Sequence, residues 1–359
     1  MPLPELPGII TAADVTETAE AIADWQLNSG MIPWYPGGHA DVWNHVEAAM
    51  ALDIAGLHDA ASRGYQWLVD TQRPDGAWHQ YYLADRIEQD KLDANCVAYS
   101  AAGVWHHWLL TGDRGFLETM WPVVDAAIEF VLDLQTPRGE IRWARHADGT
   151  PWTFALLTGS SSMVHSLRCA VAIATELGHE RPDWELGAAR LGHVIRTEPD
   201  AFAPKHRWAM DWYYPVLTGV LRDEAGRARL ASRAAEFELE DKGVRCVSDR
   251  PWVTTAETCE CAIAYLGVGD RDKALALVEA IAPNRCDDGH YVTGVVFPQG
   301  VTFPEDERST YSDAAVVLAV DALSGATAAS ALFVDHDSLP ELIDLTVDEH
   351  SEHSARNLD

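Results

Sequence analysis

One pattern recurs along this chain: a helix-like segment ends in a glutamine, a glycine turn and an aromatic residue. In Arg63–Trp78, "RGYQWLVDTQRPDGAW", Gln72 ends the segment and Gly76 and Trp78 follow it. The stretches "DWQLNSGMIPW" and "DLQTPRGEIRW" have the same order. Glycine supplies the positive φ that closes a helix C-terminus, and the aromatic ring can fold back over the helix end. The pattern predicts a repeat of helical hairpins stapled at these turns.

Stretches with helical periodicity cover most of the chain and pair into six hairpins. Alanine-rich amphipathic stretches, such as "RDKALALVEAIA", alternate with more apolar ones, such as "HVEAAMALDIAG", as expected for an outer and an inner layer. We therefore predict an all-α fold, an (α/α)6 toroid of six helical hairpins. The twelve stretches are 12–28, 39–55, 58–72, 91–110, 113–135, 157–177, 183–196, 207–222, 224–236, 252–268, 270–282 and 307–322.

A change of composition near the C-terminus sets the predicted domain boundary. The chain of 359 residues is long enough for two domains, but the repeat is continuous and favours one catalytic domain over 1–333. From Val334 the sequence "VDHDSLPELIDLTVDEHSEHSARNLD" is acidic and poor in aromatic residues. Residues 334–359 are therefore predicted to be a flexible tail.

Charge and hydropathy exclude several classes of partner. The net charge of −30 would repel nucleic acid and anionic membrane surfaces, so a neutral, sugar-like ligand is expected. No apolar run approaches the ~18 residues of a membrane helix, and "MPLPELPGII" lacks the features of a signal peptide, which favours the cytoplasm. The six cysteines have no zinc-site spacing and are predicted to be free thiols, so no metal or cofactor is expected.

Two resemblances follow from these motifs. Arg63–Trp78 resembles the QW motif of terpenoid cyclases and their α/α-toroid relatives, which is specific for the architecture and weak for the chemistry. The span from about Trp25 to Leu323, with "IPWYPGGHADVWNHVEAAMALD" and "VTTAETCECAIAYL", resembles actinobacterial toroid hydrolases of methylmannose polysaccharide, often labelled prenyltransferase-like. The resemblance implies endo-hydrolysis of an intracellular α-1,4-linked polymer of 3-O-methylmannose.

Two carboxylates are the predicted catalytic pair. In an α/α toroid the loops before the inner helices meet at one mouth, so we expect the site at the N-terminal ends of those helices. Glycoside hydrolysis needs one protonated and one ionised carboxyl group. We predict Asp41 as general acid and Glu257 as base, by analogy with inverting toroidal glycosidases, with Asp211 as substitute. Each residue also has a structural alternative. Asp41 could be a carboxylate that interacts favourably with the dipole at the helix N-terminus, and Glu257 could close a capping box with Thr254 or Thr255.

Residues around the same helix ends are predicted to bind sugar. Aromatic rings stack on pyranose C–H surfaces, and polar groups bind the hydroxyls. Asp93, Asn95 and Ser160 have helix capping as their alternative. In the first loop, Trp34 is expected to be the staple and Tyr35 the ligand contact. The predicted binding residues are Tyr35, His39, Trp43, His45, Asp93, Asn95, Ser160, Asp211, Trp212, Tyr213 and Trp252.

Two other function classes stay open at this point. An isoprenoid-processing toroid would use the aromatic residues to shield a carbocation or a lipid, although the chain has no DxDD acid and "DANC", with Asp93 and Cys96, only partly imitates a prenyltransferase zinc site. A non-catalytic carbohydrate-binding protein would keep the aromatic contacts without needing the acid–base pair.

Overall fold

The computed structural model describes residues 2–345, and these form twelve α-helices with short strands in the connecting loops. The helices are α1 (Ala12–Trp25), α2 (Val42–Ile54), α3 (His58–Thr71), α4 (Ala94–Thr111), α5 (Arg114–Leu132), α6 (Leu157–Leu177), α7 (Pro182–Thr197), α8 (Ala209–Leu217), α9 (Asp223–Phe237), α10 (Thr255–Gly267), α11 (Arg271–Ile281) and α12 (Thr310–Ser324). The strands are β1 (Tyr81–Tyr82), β2 (Ile87–Gln89), β3 (Leu92–Asp93), β4 (Ala144–Arg145), β5 (Glu238–Leu239), β6 (Gly243–Val244), β7 (Trp252–Thr254), β8 (Gly294–Val296) and β9 (Val301–Thr302).

The even-numbered helices form a closed inner ring, and the odd-numbered helices surround it. Each inner helix packs against the next, and α12 returns to α2. Because an inner helix has neighbours on all sides, every residue of α2 except Trp43 is buried, whereas the outer helix α3 buries only one face. The alternation of apolar and amphipathic stretches therefore matches the two layers, and the predicted (α/α)6 toroid is confirmed.

Three glutamines connect neighbouring outer helices. The Nε2 amide of Gln72, at the end of α3, donates to the carbonyl of Gly76 at 2.9 Å and to that of Val123 in α5 at 2.8 Å. Gln26 and Gln135 make the same pair of bonds at the ends of α1 and α5. Each such bond stabilises the fold by about 0.5–1.5 kcal/mol. The amide of each glutamine thus joins its own turn to the next outer helix.

The staple glycines are fixed by conformation and by close packing. Gly76 has φ +85°, and a Cβ there would lie 2.1 Å from the carbonyl oxygen of Ala126 in α5. Two positions later the buried Trp78 donates from its indole to the carbonyl of Leu68 at 3.0 Å, covering the end of α3 as the sequence suggests. The turn therefore requires glycine both for its left-handed backbone and for the contact between helices.

The start of the predicted tail is packed against the toroid. His336 and Leu339 are buried, and their carbonyl oxygens, with that of Pro340, accept hydrogen bonds from the Arg168 guanidinium of α6. His336 lies against Gly219 and Gly267 at the C-terminal ends of α8 and α10, so this segment covers the end of the ring away from the inner-helix N-termini. The rest of the predicted tail, 346–359, lies outside the described residues.

Three further expectations are compared with the structure here. All six cysteines are free, and only Cys286 is not fully buried. Among residues 2–345 no helix has the length and apolar character needed to span a bilayer. The predicted helix at 207–222 is shorter than expected, because α8 ends at Leu217 and Gly219 turns with φ +71° against the ring of His336.

Replacing Gly76 by alanine is expected to destabilise the protein clearly more than the same change at Gly56. The two glycines have nearly equal φ, +85° and +81°, but a Cβ at Gly56 meets nothing within 4 Å. Gly56→Ala should therefore cost only the left-handed backbone energy, about 1–2 kcal/mol, while Gly76→Ala must also displace α5. Urea unfolding of both variants measures the difference, and equal costs would contradict a role for close helix packing.

Candidate active site at the inner-helix N-termini

The N-terminal ends of the inner helices and the loops before them enclose a cleft. Its volume is about 330 Å³. It combines carboxylates, amides and aromatic rings with a few apolar groups. The lining residues are Trp34, Asp41, Trp43, Asn44, Gln80, Tyr81, Asp93, Asn95, Cys96, Trp143, Leu156, Thr158, Gly159, Met210, Glu257 and Tyr311.

Asp41 is the N-cap of α2 and lines this cleft. Its Oδ1 accepts from the backbone N–H of Asn44 at 3.0 Å. Its Oδ2 accepts from the Trp34 indole at 2.9 Å and from the Asn44 side-chain amide at 3.0 Å. The helix-terminal role expected as an alternative is therefore present, as an N-cap, together with a position in the cleft. Oδ1, with a single donor, is the oxygen better placed to hold a proton.

Burial raises the pKa of the Asp41 carboxyl above its ordinary value of 3.8. The N–H donors and His39 lower the pKa and so offset part of this effect, while the Asp93 carboxylate adds to the rise. A carboxyl group whose pKa is raised in this way keeps its proton to higher pH, which is the property that a general acid needs.

Asp93 and Asn95 lie across the cleft at the start of α4. Asp93 is the N-cap, and its Oδ1 accepts from the N–H groups of Asn95 at 3.1 Å and Cys96 at 3.4 Å. Its Oδ2 is 3.5 Å from Lys91 Nζ, which lies over the Trp143 ring. The buried Oδ1 of Asn95 has no hydrogen-bond partner among the described residues, so it is free to bind a ligand group.

Glu257 projects into the cleft from the first turn of α10. The capping box considered as its structural alternative is not formed, because the N-cap Thr254 makes no side-chain cap bond and Thr255 Oγ1 donates to the Val292 carbonyl. Glu257 also lies near the Cys246 thiol, and burial with this neighbouring carboxylate raises the pKa of Cys246. Asp41 and Glu257 thus reach the same cleft from different helices.

In the loops after the staple glycines, successive alternate side chains point into the core and into the cleft. A fourth turn of this kind, "DDGHY", contains Gly289. The residue two positions after each of the four glycines is buried: Ile32, Trp78, Ile141 and Tyr291. The residue four positions after the first three glycines lines the cleft: Trp34, Gln80 and Trp143. Sequence reasoning counted Trp34 and Trp143 among the staple aromatics, but an extended loop turns every second side chain the same way. Counting from the glycine would have identified them.

Three predicted binding residues lie next to the cleft without lining it. The His39 ring stacks on Tyr81 at 4.1 Å, and its Nδ1 lies 3.1 Å from a carboxylate oxygen of Glu88. Asp211 accepts from Thr158 Oγ1 at 2.7 Å, and burial raises its pKa. Ser160 is buried behind Gly159, and its hydroxyl has no hydrogen-bond partner among the described residues.

Other predicted binding residues lie in the protein core. The His45 ring accepts a hydrogen bond from the Ile32 N–H at Nδ1 and donates one from Nε2 to the Gly64 carbonyl. Burial lowers the pKa of His45 to about 4. Trp212 points away from the ring axis, where it stacks on Phe237 and donates to carbonyls of α9. These contacts correct the expected positions, because both side chains are used to join helices.

Tyr213, Trp252 and Tyr35 also lie outside the cleft lining. Tyr213 is fully buried and donates to Glu260 below the cleft. Trp252, on β7, donates to the Phe303 carbonyl at 2.9 Å. Tyr35 is exposed and packs its ring on Gly38. Its neighbour Trp34 lines the cleft instead, the reverse of the expectation.

The remaining cleft residues had little sequence signal. Tyr81, Thr158 and Tyr311 occur in loops or first turns that no motif marks. Glu47 and Glu260 lie one to two turns below Asp41 and Glu257 on the same helices, where a carboxylate at an apolar helix face was not expected. Within residues 2–345 no cluster of three His, Cys, Asp or Glu side chains is arranged to hold a metal ion.

One relative resembles this chain over nearly its whole length. The chain is 50% identical over 331 residues, 92% of each protein, to the MMP endo-(1,4)-3-O-methyl-alpha-D-mannosidase of Mycolicibacterium hassiacum. It is 26% identical over 84 residues to an uncharacterized glycosyl hydrolase of Methanocaldococcus jannaschii, which is 23% of this chain and 14% of that protein. No family model matches the chain.

Solved structures share the fold at low sequence identity. A glycosidase in complex with glucose superposes with a TM-score of 0.68 at 14% identity, over 88% of this chain and 98% of its own. A D-mannose isomerase gives 0.62 at 11% identity, over 86% and 96%. The cellobiose 2-epimerase of Spirochaeta thermophila gives 0.62 at 11% identity, over 87% and 97%. These likenesses support the toroid architecture.

Replacing Trp34 by phenylalanine is expected to raise the pKa of Asp41 further. The change removes the N–H group that stabilises the charged carboxylate at Oδ2 and leaves the backbone cap intact. Carbon-13 NMR titration of the aspartate carboxyl groups, assigned with Asp41→Asn, measures the shift. Trp184→Phe is the matched control, because its indole donates to Glu129 outside the ring. An unchanged or lower pKa in Trp34→Phe would contradict the expected role of this bond.

Proposed function

We propose endo-hydrolysis of a 3-O-methylmannose polysaccharide for this chain, which belongs to the family of the MMP endo-(1,4)-3-O-methyl-alpha-D-mannosidase and is a glycoside hydrolase. The observation that carries the proposal is the cleft that the carboxylates Asp41 and Glu257 both line, from different helices. The 50% identity to the mannosidase supports the substrate class. Neither of the relatives is an isoprenoid enzyme, so the isoprenoid alternative is not retained.

The composition of the cleft supports a partly methylated sugar. Gln80, Asn95 and Thr158 offer amide and hydroxyl groups for sugar hydroxyls, and Trp34 and Trp143 offer ring faces. Met210 and Leu156 add apolar surface, which suits a methyl ether better than a free hydroxyl. The combination favours a neutral, amphipathic glycan, in agreement with the net charge of −30. We keep the cytoplasm as the proposed location.

In the proposed mechanism Asp41 is the general acid and Glu257 the general base of an inverting reaction. Asp41 gives its proton from Oδ1 to the glycosidic oxygen as the bond from that oxygen to the anomeric carbon breaks. Glu257 accepts a proton from a water whose oxygen bonds to the anomeric carbon on the opposite face. Asp41 is then ionised and Glu257 protonated, and exchange with solvent restores both. The raised pKa of Asp41 supports its assignment as the acid.

Asp41→Asn and Glu257→Gln are each expected to lower kcat/KM on the polysaccharide by about 10²–10⁴-fold. The expected loss reflects proton transfer, which an amide cannot perform. Product lengths by mass spectrometry and rates by reducing-end assay provide the measurement. Asp93→Asn, another cleft N-cap, is the matched control and should lower the rate far less. Full activity of both catalytic variants would contradict the assignment, and an intact polymer with the wild type would favour a carbohydrate-binding protein.

The first product is expected to carry the β configuration at its new reducing end. A single displacement by water inverts the α linkage, whereas a covalent intermediate would retain it. Proton NMR of the anomeric signals during the first minutes, before mutarotation, distinguishes the two results. An initial α product would rule out inversion while leaving hydrolysis itself intact.

A further inference from the structure

A second pair of carboxylates lies beneath the cleft, inside the ring. Glu47 on α2 and Glu260 on α10 line a small chamber of about 30 Å³ with Tyr99 and Tyr214. Their side chains are buried, at 4% and 5% exposure, and neither forms an ion pair with a basic residue of the described chain. The chamber has room for about one or two water molecules. Among residues 2–345 the pair is therefore two buried carboxyl groups without a cationic partner.

The two carboxylates have different hydrogen-bond donors. Glu260 accepts from three hydroxyl groups: Tyr214 and Tyr311, each at 2.9 Å from Oε1, and Tyr213 at Oε2. Glu47 accepts at Oε1 alone, from the Trp43 indole at 2.8 Å and the Tyr99 hydroxyl at 2.9 Å. Its Oε2 is buried and has no hydrogen-bond partner among the described residues. Donors on both oxygens stabilise a carboxylate anion, whereas an oxygen without a donor suits the protonated form.

We propose that this pair carries a single negative charge near neutral pH, placed on Glu260, while Glu47 remains protonated at Oε2. Two buried carboxylates without a cation cannot both ionise at low cost, so one proton stays with the pair. The unequal donors decide which residue keeps it. Neither residue has a place in the proposed acid–base steps.

The shifts of the pKa values agree with this assignment. Burial and the Glu257 carboxylate raise the pKa of Glu260, the three tyrosine hydroxyls lower it, and the resulting pKa is about 7. Burial and the neighbouring Glu260 raise the pKa of Glu47 well above its ordinary value. Both shifts are upward, as expected for two buried carboxyl groups that share one proton.

Within residues 2–345, no cation faces the chamber from the helices around it. Burial lowers the pKa of His165, on α6, to about 4, so this ring is neutral at pH 7. The tyrosines have raised pKa values and remain protonated. The titratable groups facing the pair are Asp41, Tyr99, His165, Cys169, Tyr213, Tyr214, Glu257 and Tyr311.

The pair is connected to the cleft above it. Trp43 and Tyr311 line the cleft, and they donate to Glu47 and Glu260 respectively. Glu260 also lies one helical turn from Glu257 on α10, within range of Coulomb interaction. The Glu257 carboxylate raises the pKa of Glu260, so the two groups are coupled and Glu260 acts on the reaction only as a positioning residue through its neighbour. This part of the inference rests on the proposed role of Glu257 as general base.

The pH dependence of kcat/KM distinguishes the two carboxylates. In Glu260→Gln the group that ionises near pH 7 beside the general base is lost, so an inflection of the profile near pH 7 should disappear. In Glu47→Gln the amide replaces a neutral carboxylic acid, and the inflection should remain. Glu129→Gln is the control, since Glu129 accepts from the Trp184 indole outside the ring. Loss of the inflection in Glu47→Gln alone, in both variants or in neither would overturn the charge assignment.

Two measurements, infrared spectroscopy and thermal unfolding, test the charge of the pair without an activity assay. Infrared spectra at pH 8 should show a protonated carboxyl band that Glu47→Gln removes and Glu260→Gln keeps. The absence of that band in the wild type, or its appearance only after treatment with a chelator, would overturn the shared proton in favour of two anions or a bound cation. If the polymer is not cleaved, the proposed function fails, but these spectra still test whether the pair shares one proton.

The thermal stability should depend on pH through Glu260. Its folded pKa of about 7 is above the ordinary value of 4.5, so the stability it contributes is present below pH 4.5 and is lost as pH rises through 7. The wild type should therefore lose Tm relative to Glu260→Gln between pH 5 and 8. If Glu260→Gln does not fold, Tyr213→Phe serves instead. It removes one donor to the Glu260 carboxylate, so the pH range over which Tm falls should lie higher than in the wild type. A Tm difference that is constant with pH contradicts the assignment.

Discussion

The double hydrogen bond of the staple glutamines is the interaction on which the outer wall depends. One amide nitrogen carries two hydrogens, so Gln72 holds its own turn and the next outer helix at the same time. The glycine of that turn lies directly against the neighbouring helix, which leaves no space for a side chain. The loop therefore leaves each outer helix in a fixed direction, and its alternating side chains supply first the core and then the wall of the cleft.

Structural and catalytic roles are combined at the inner-helix N-termini. Asp41 and Asp93 each cap a helix through Oδ1 and still face the cleft. A cap uses only part of the hydrogen-bonding capacity of a carboxylate, so the same residue remains available for chemistry. Burial in the cleft raises the pKa of both residues, since water can no longer stabilise their charge. Capping and catalysis were treated as alternatives from the sequence, but the geometry makes them compatible.

The interior of the ring is polar where the sequence suggested an apolar axis. Glu47 and Glu260 lie inside it with tyrosine hydroxyls as donors rather than with basic residues. Hydroxyl donors stabilise a carboxylate without neutralising it, so the region under the cleft keeps a negative potential. The C-terminal segment around His336 and Leu339 covers the other end of the ring, which leaves the cleft as the open end.

The sequence by itself determined the helices, the hairpin repeat and the two carboxylates Asp41 and Glu257 at inner-helix starts, because periodicity, glycine turns and caps are local properties. Only the tertiary structure decided which side chains of those helices face the ring axis. Adjacent residues of a helix point about 100° apart, so Trp212 joins α8 to α9 while Tyr213 meets Glu260. Neither that direction nor the pairing of Glu47 with Glu260, 213 residues apart along the chain, is encoded in any local pattern.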